Sequence, residues 1–271
     1  MVDKIKYWCL KKVEQKYGFQ KYKKAFTEIN NDLSQQYTEK VKVTKLYELK
    51  LRNQHCFQAL FTEKAIKKLI RGGVLKIVDI GDSAGNHLKY LKYLLKNQYS
   101  VDGVSINLDK TAVDKINASG GCAVLCRAED YKPEQYIDFY LSYEMMEHLH
   151  NPVLFLHRLA KSDMGKYMIV TVPYLAQSRV ALRRSMDGTR MPITAEQEHI
   201  FELSPEDWTK ICRHSGWKVL YSDIYLQYPA NIPIVSSICR FIWKKYDFEG
   251  FLGLVLKRDM SVANRYQDWE E

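Results

Sequence analysis

The chain has 271 residues, 46% of them apolar, and a formal charge of +9. That length suits one α/β domain with additions, and the apolar share can fill its core. No apolar run approaches the roughly 20 residues needed to cross a bilayer, no segment is of low complexity, and the lysine-rich start (Lys4, Lys6, Lys11, Lys12) lacks a secretory apolar stretch.

Six cysteines are scattered (Cys9, Cys56, Cys122, Cys126, Cys212, Cys239), with no Cys-x-x-Cys pair and no histidine at a matching spacing. Free thiols in the cytoplasm are expected, rather than a zinc site or a disulfide framework. The positive charge could attract nucleic acid or an anionic membrane. No basic helix–turn–helix or aromatic RNA-binding signature accompanies it, and a solvated lysine surface is enough to explain it.

Residues 1–52 read as helices rich in Lys, Glu and Tyr, broken near Gly18 and at Asn30 and Asn31. They are expected to form a helical cap over a domain of residues 55–260, with 261–271 as a tail. A helix over 54–70 carries Phe57, Leu60, Ala65, Ile66 and Leu69 on one side and ends at Gly72 and Gly73. Strands and helices then alternate, which implies parallel strands with crossover helices. Strands are predicted at 75–80, 101–106, 123–127, 137–142 and 167–172, the last closed by Pro173. Helices are predicted at 88–95, 110–118, from Pro152 through Leu159, and 205–215. Two last strands follow at 217–225 and 251–257. Residues 175–198 and 226–249 are read as insertions over a binding site. The second of these holds an apolar, aromatic stretch, Ile232 to Trp243, beside Arg240, Lys244 and Lys245. It reads either as an interfacial helix making peripheral membrane contact or as a helix packed over the substrate pocket.

The most informative stretch is 75–85, an apolar strand that ends at Asp79 and Gly81 and passes Asp82, Ser83 and Ala84 to Gly85 before a helix. A strand breaking into a glycine turn ahead of a helix places backbone N–H groups around a ligand. The nicotinamide fingerprint fails, because Ser83 and Asn86 stand where its second and third glycines belong. No Gly-Lys-Ser/Thr follows, so the P-loop fails as well. An acid at the strand end suits a cationic ligand group such as the amino group of a methionine moiety.

Asp79-x-Gly81-x-x-x-Gly85 resembles motif I of class I S-adenosylmethionine-dependent methyltransferases. From about 55 to 258 the chain is similar to their type 11 and type 23 groups at several further stations. Gly103-Val104-Ser105 matches the end of the second strand. Ala128-Glu129-Asp130 matches the segment that meets adenine. Glu144, Glu147, His148 and Leu149 repeat Glu-x-x-Glu-His-Leu, and Glu198-His199 with Phe201 and Ser204 resembles the later Glu-His…Phe-Ser segment. The resemblance implies a Rossmann-like α/β fold with a seven-stranded, mostly parallel sheet flanked by helices. It also implies S-adenosylmethionine as cofactor. The residues it assigns to that cofactor are Asp79, Gly81, Asp82, Ser83, Gly85, Ser105, Asn107, Glu129, Asp130, Ser142, Tyr143 and Glu144. Asp130 is preferred to Glu129 for adenine. Ser105 replaces the acid that usually accepts both ribose hydroxyls, with Asn107 or Asp109 in support.

Methyl transfer from a sulfonium chiefly requires alignment and exclusion of water, and a hydroxyl acceptor also requires a base. His148 and His199 are the candidate bases, which favours O-methylation of a small-molecule or saccharide acceptor. His148 could instead be structural, bonding a backbone carbonyl. A methyltransferase-like binding or scaffold protein without turnover and an RNA methyltransferase are the alternative readings. No His-x-x-x-His or carboxylate cluster points to a metal.

Overall fold

A computed structural model describes residues 2–33, 43–180, 198–231 and 233–266. The inner part of the predicted 175–198 insertion, with Gly188 and Pro192, lies outside the described residues, as does the end of the tail. Three helices come first: α1 (Val2–Tyr17), α2 (Gln20–Ile29) and α3 (Lys45–Leu69). Five parallel strands follow with their crossovers: β1 (Gly73–Ile80), α4 (Asn86–Leu95), β2 (Tyr99–Asn107), α5 (Lys110–Ala118), β3 (Ala123–Leu125), β4 (Ile137–Tyr143), α6 (Pro152–Lys161) and β5 (Gly165–Tyr174). A short ribbon pairs β6 (Arg179–Val180) with β7 (Phe201–Glu202). The chain then forms α7 (Pro205–His214), β8 (Trp217–Leu226), α8 (Pro233–Tyr246) and β9 (Gly250–Arg258).

The main sheet has seven strands in the order β3-β2-β1-β4-β5-β9-β8, with β9 antiparallel to both neighbours. The order reverses between β1 and β4, so the crevice beyond their C-terminal ends is the place where such sheets take ligands. Alternate residues of each strand feed two cores. Leu75, Ile77, Phe139, Leu141 and Ile169 pack under α3 and α4 on one face. Val78, Ile80, Tyr140, Met168 and Val170 pack under α6 and α7 on the other.

The helix starts follow from short side-chain caps. Thr44, Asp109, Asn151 and Ser204 each accept a first-turn amide, at 3.2, 2.7, 2.9 and 3.2 Å. Pro152 and Pro205 open their helices, where a missing N–H costs nothing.

Three boundaries differ from expectation. The helix read over 54–70 begins at Lys45, so the boundary drawn at 54/55 falls inside α3. Its first turns look polar because Leu49 packs against α1 and α8 rather than the sheet. Strand β5 runs through Pro173 to Tyr174, because β9 continues the pairing there and the Glu249 amide donates to the Tyr174 carbonyl at 3.1 Å. Third, α8 does not cover the cavity described below. Its buried side, Cys239 and Trp243, meets Cys9, Leu10 and Leu49.

Helix α3 lies close on the sheet at Gly253, where an added Cβ would stand 2.8 Å from the Phe61 ring. Gly253→Ala should therefore destabilise the fold by about 1–3 kcal/mol, the usual range for overpacking. Urea unfolding should show a lower midpoint with an unchanged m-value.

Candidate active site

The turn between β1 and α4 is built around one buried carboxylate. Asp82 Oδ1 accepts the Ala84 and Gly85 amides at 3.2 and 2.9 Å, and its Oδ2 accepts the Ser105 hydroxyl at 3.1 Å. The Asp82 carbonyl accepts Asn107 Nδ2 at 3.1 Å. Gly81 (φ +93°) and Gly85 (φ +69°) occupy left-handed conformations that glycine adopts without strain. A Cβ on Gly81 would also come within 2.7 Å of Met145. The turn is thus held from within and its backbone approaches the crevice closely.

Asp79 is fully buried, and its Oδ2 lies 2.9 Å from His87 Nδ1 on α4. Burial and then the Asp82 carboxylate push the Asp79 acid up to about 6, against the pull of His87. Burial opposes a charge on His87, but Asp79, aided by Asp82 and Glu144, raises its pKa to about 9. Two carboxyl groups thus share one imidazole, with His87 Nδ1 2.9 Å from Asp79 and 3.8 Å from Asp82. The His87 ring sits edge-on to Tyr143, 4.8 Å between centroids, and the Tyr143 hydroxyl bonds Thr62 of α3.

In front of this turn lies a cavity of about 330 Å³. Of the residues assigned from sequence, it is lined by Gly81, Ser83, Asn107, Glu129, Tyr143, Glu144, His148 and His199. The others stand back from it. Asp79 lies beneath His87, and Asp82 is spent on the loop. Gly85 packs toward Ile116, with 3.4 Å between an added Cβ and that side chain. Ser105 is buried and donates to Asp82, which ties the end of β2 to the turn. Asp130, the acid preferred for adenine, is exposed, while Glu129 lines the cavity. The reason is the three-residue turn Ala128–Asp130, fixed by Arg158 donating to the Glu129 carbonyl at 2.9 Å. Ser142 is buried behind Tyr143.

Residues that the sequence reading missed complete the walls. Helix α3 contributes Tyr47, Lys50, Gln54, His55 and Gln58, and α4 contributes His87. Burial, then the neighbouring His87 and Arg52, hold His55 neutral, well below the usual imidazole range. The available signal for His87 was its place two residues past Gly85, on the first turn of the helix.

The far wall joins two segments distant in sequence. Glu144 takes a left-handed φ of +50°, sparsely populated for a side chain of its size, and its amide donates to the Thr171 carbonyl at 2.8 Å. Burial raises its acid to about 8, against a Thr171 hydrogen bond and Lys50. The turn Met146–His148 follows. Its Glu147 carbonyl accepts the Ile200 amide at 2.7 Å, and His148 Nδ1 donates to the Glu198 carbonyl at 2.8 Å. His199 Nδ1 lies 2.9 Å from Glu202 Oε1. Burial opposes ionisation of Glu202, but His199 and Arg179 hold its acid below the usual range. These bonds bring the His148 and His199 rings to 4.8 Å, edge to face. The carbonyl bond expected of a structural His148 is present, and the ring still borders the cavity.

A family model for a methyltransferase domain matches residues 52–222. The fold is similar to solved structures of low sequence identity. A methyltransferase of Leishmania major that depends on S-adenosylmethionine aligns with a TM-score of 0.55 at 13% identity, over 88% of this chain and 82% of that one. The magnesium protoporphyrin IX methyltransferase of Synechocystis, solved with bound S-adenosylhomocysteine, gives 0.51 at 12% identity over 82% and 90%. A cyclopropane synthase of Mycobacterium tuberculosis gives 0.52 at 12% over 86% and 93%. No curated protein matches the chain in sequence.

The His87 pKa near 9, against 6.5 for a free imidazole, has a consequence for stability. A proton held more tightly in the folded state stabilises it fully below pH 6.5, and that contribution is lost as pH rises through about 9. The Tm advantage of the wild type over His87→Asn should therefore shrink between pH 6.5 and 9. Each kcal/mol lost corresponds to about 2–4 °C in calorimetry.

Proposed function

This chain belongs to the S-adenosylmethionine-dependent methyltransferase family, and we propose that it methylates a hydroxyl oxygen of a small-molecule or saccharide acceptor held in the cavity before Gly81. The observation that carries this reading is the juxtaposition in one cavity of the Gly81–Ser83 backbone with the imidazoles of His148 and His199. S-adenosylmethionine supplies a methyl group on a cationic sulfur, which departs as a neutral thioether.

The residues present fit that cofactor. The glycine turn offers a close backbone approach, and two carboxyl groups, Asp79 and Asp82, set against the single imidazole of His87 favour a cationic ligand. Gly81, Ser83 and Tyr143 would flank its methionine end, and Asn107 and Glu129 its nucleoside. The ligand's amino group competes with His87 for Asp79, so His87 must yield that carboxylate as the cofactor enters. Helix α3 and the Glu198–Glu202 segment close the sides of the cavity and limit water at the reacting atoms.

An alcohol is a poor nucleophile until its proton is drawn away, and a positioned imidazole lowers that barrier. In His148, the Nδ1 proton is committed to a carbonyl, which leaves Nε2 the unprotonated nitrogen of the neutral ring. Glu202 orients the His199 ring in the same manner. The acceptor hydroxyl is placed between these rings and the glycine turn.

The exposed side of α8 supports peripheral membrane contact. Ile234, Phe241 and Ile238 are 77%, 66% and 55% exposed and recur every three to four residues, beside Arg240, Lys244 and Lys245. Among the described residues no helix is long and apolar enough to cross a membrane. Six free cysteines accord with a cytoplasmic location.

Two outcomes follow. His199→Ala should lower kcat about 10²- to 10⁴-fold while calorimetry gives an unchanged Kd for S-adenosylhomocysteine. An unchanged kcat contradicts the acceptor site. Vesicles of phosphatidylglycerol should retain the protein in flotation, and Phe241→Asp should weaken retention about tenfold or more, as the loss of one buried aromatic side chain implies. Equal retention of wild type and variant contradicts the membrane face.

A further inference from the structure

We propose that Glu147, His148 and His199 form a binding site for a divalent first-row transition-metal ion at the acceptor end of the cavity. The proposal rests on the reading of that cavity as the acceptor site and departs from the expectation of no metal.

The three side chains each present a ligand atom within 4.8 Å of the others. Glu147 is fully buried, and among the described residues neither of its carboxylate oxygens has a hydrogen-bond partner. An orphaned buried carboxyl group is costly, and a bound cation would relieve that cost. Its one ionic contact among the described residues is the His148 Nε2, 4.0 Å from Oε1. No lysine or arginine neutralises it there.

Both imidazoles have their Nδ1 engaged by an outer oxygen. His148 donates from Nδ1 to the Glu198 carbonyl, and His199 Nδ1 is bonded to the Glu202 carboxylate. Such outer bonds fix the tautomer and the ring plane and raise the basicity of the other nitrogen. Glu202 is itself held by Arg179, so the outer support is complete before any ion arrives.

Donors around a bound ion at about 2.1 Å lie roughly 3 Å apart, so the most distant pair of the set closes by up to about 1.8 Å on binding. Two imidazoles and one carboxylate suit manganese, iron or zinc, whereas calcium and magnesium favour all-oxygen sites. Three protein ligands leave open positions toward the cavity, where His148 and His199 line the wall. With an ion in place the two imidazoles are its ligands and no longer the bases, and the ion instead makes a bound acceptor oxygen more acidic, its proton passing to water before methyl transfer. Acceptors with a ligating oxygen, such as a phenol or a vicinal diol, fit that arrangement.

The test uses the full chain, freed of metal with a chelator and titrated with Mn²⁺ alone, with free Mn²⁺ followed by electron paramagnetic resonance. S-adenosylhomocysteine binding is measured by calorimetry on the same samples. One Mn²⁺ per chain is expected. Glu147→Gln and His199→Ala should each weaken it at least tenfold, and Glu202→Gln about 10- to 100-fold through the outer bond, all with S-adenosylhomocysteine affinity retained. Absence of saturable Mn²⁺ binding to the wild type overturns the proposal, as does equal affinity in the wild type and all three variants. If the wild type binds Mn²⁺ in this manner but does not bind S-adenosylhomocysteine, the metal site stands and the cofactor reading fails.

Discussion

The Asp82 carboxylate is the interaction on which the site depends. It gathers the Ala84 and Gly85 amides and the Ser105 hydroxyl into one buried knot, while its own carbonyl takes Asn107. A carboxylate buried this deeply is tolerated only when its oxygens are bonded, and here they are. The knot ties the β1 turn to the end of β2 and fixes the start of α4. Because α4 is fixed, His87 is delivered onto Asp79. One buried acid therefore shapes the turn, and a second holds the charge that the turn presents.

The opposite wall obeys a similar rule by different means. Strand β4 ends at Tyr143 and Glu144 turns left-handed after it, and the following Met146–His148 turn exchanges hydrogen bonds with residues 198 and 200. Two segments some fifty residues apart are thereby locked together, and each contributes an imidazole. The cavity lies between a glycine turn that excludes side chains and a pair of rings whose outer nitrogens are already committed. The first suits a nucleoside cofactor and the second suits chemistry on an oxygen.

Much of this order was legible in the sequence. The strand that breaks at Gly81 and the alternation of strands and helices each follow from local rules, and the structure shows the seven-stranded sheet that they imply. The pairing of Glu147-His148 with His199 was visible only as two separate motifs. What was not legible depends on tertiary direction. The early turns of α3 bury their apolar side against α1 and α8, so their pattern does not announce a cavity wall. Glu129 rather than Asp130 faces the cavity because Arg158, from a later helix, fixes the intervening turn. His87 gave no pattern, since a single histidine on a helix acquires its role only from what α4 packs against. The Ser105 bond to Asp82 was likewise invisible, because it depends on how the loop folds back on β2.

The proposed role of Asp79 is to serve a cationic cofactor in this crevice, with His87 in the cofactor's place until it arrives. A crystal structure of the protein with S-adenosylhomocysteine is the direct test. The ligand's amino group is expected within hydrogen-bond reach of the Asp79 carboxylate, or joined to it through one water, with the His87 ring turned away. A structure in which the nucleoside lies elsewhere, or in which His87 remains seated on Asp79 beside the bound ligand, would contradict it.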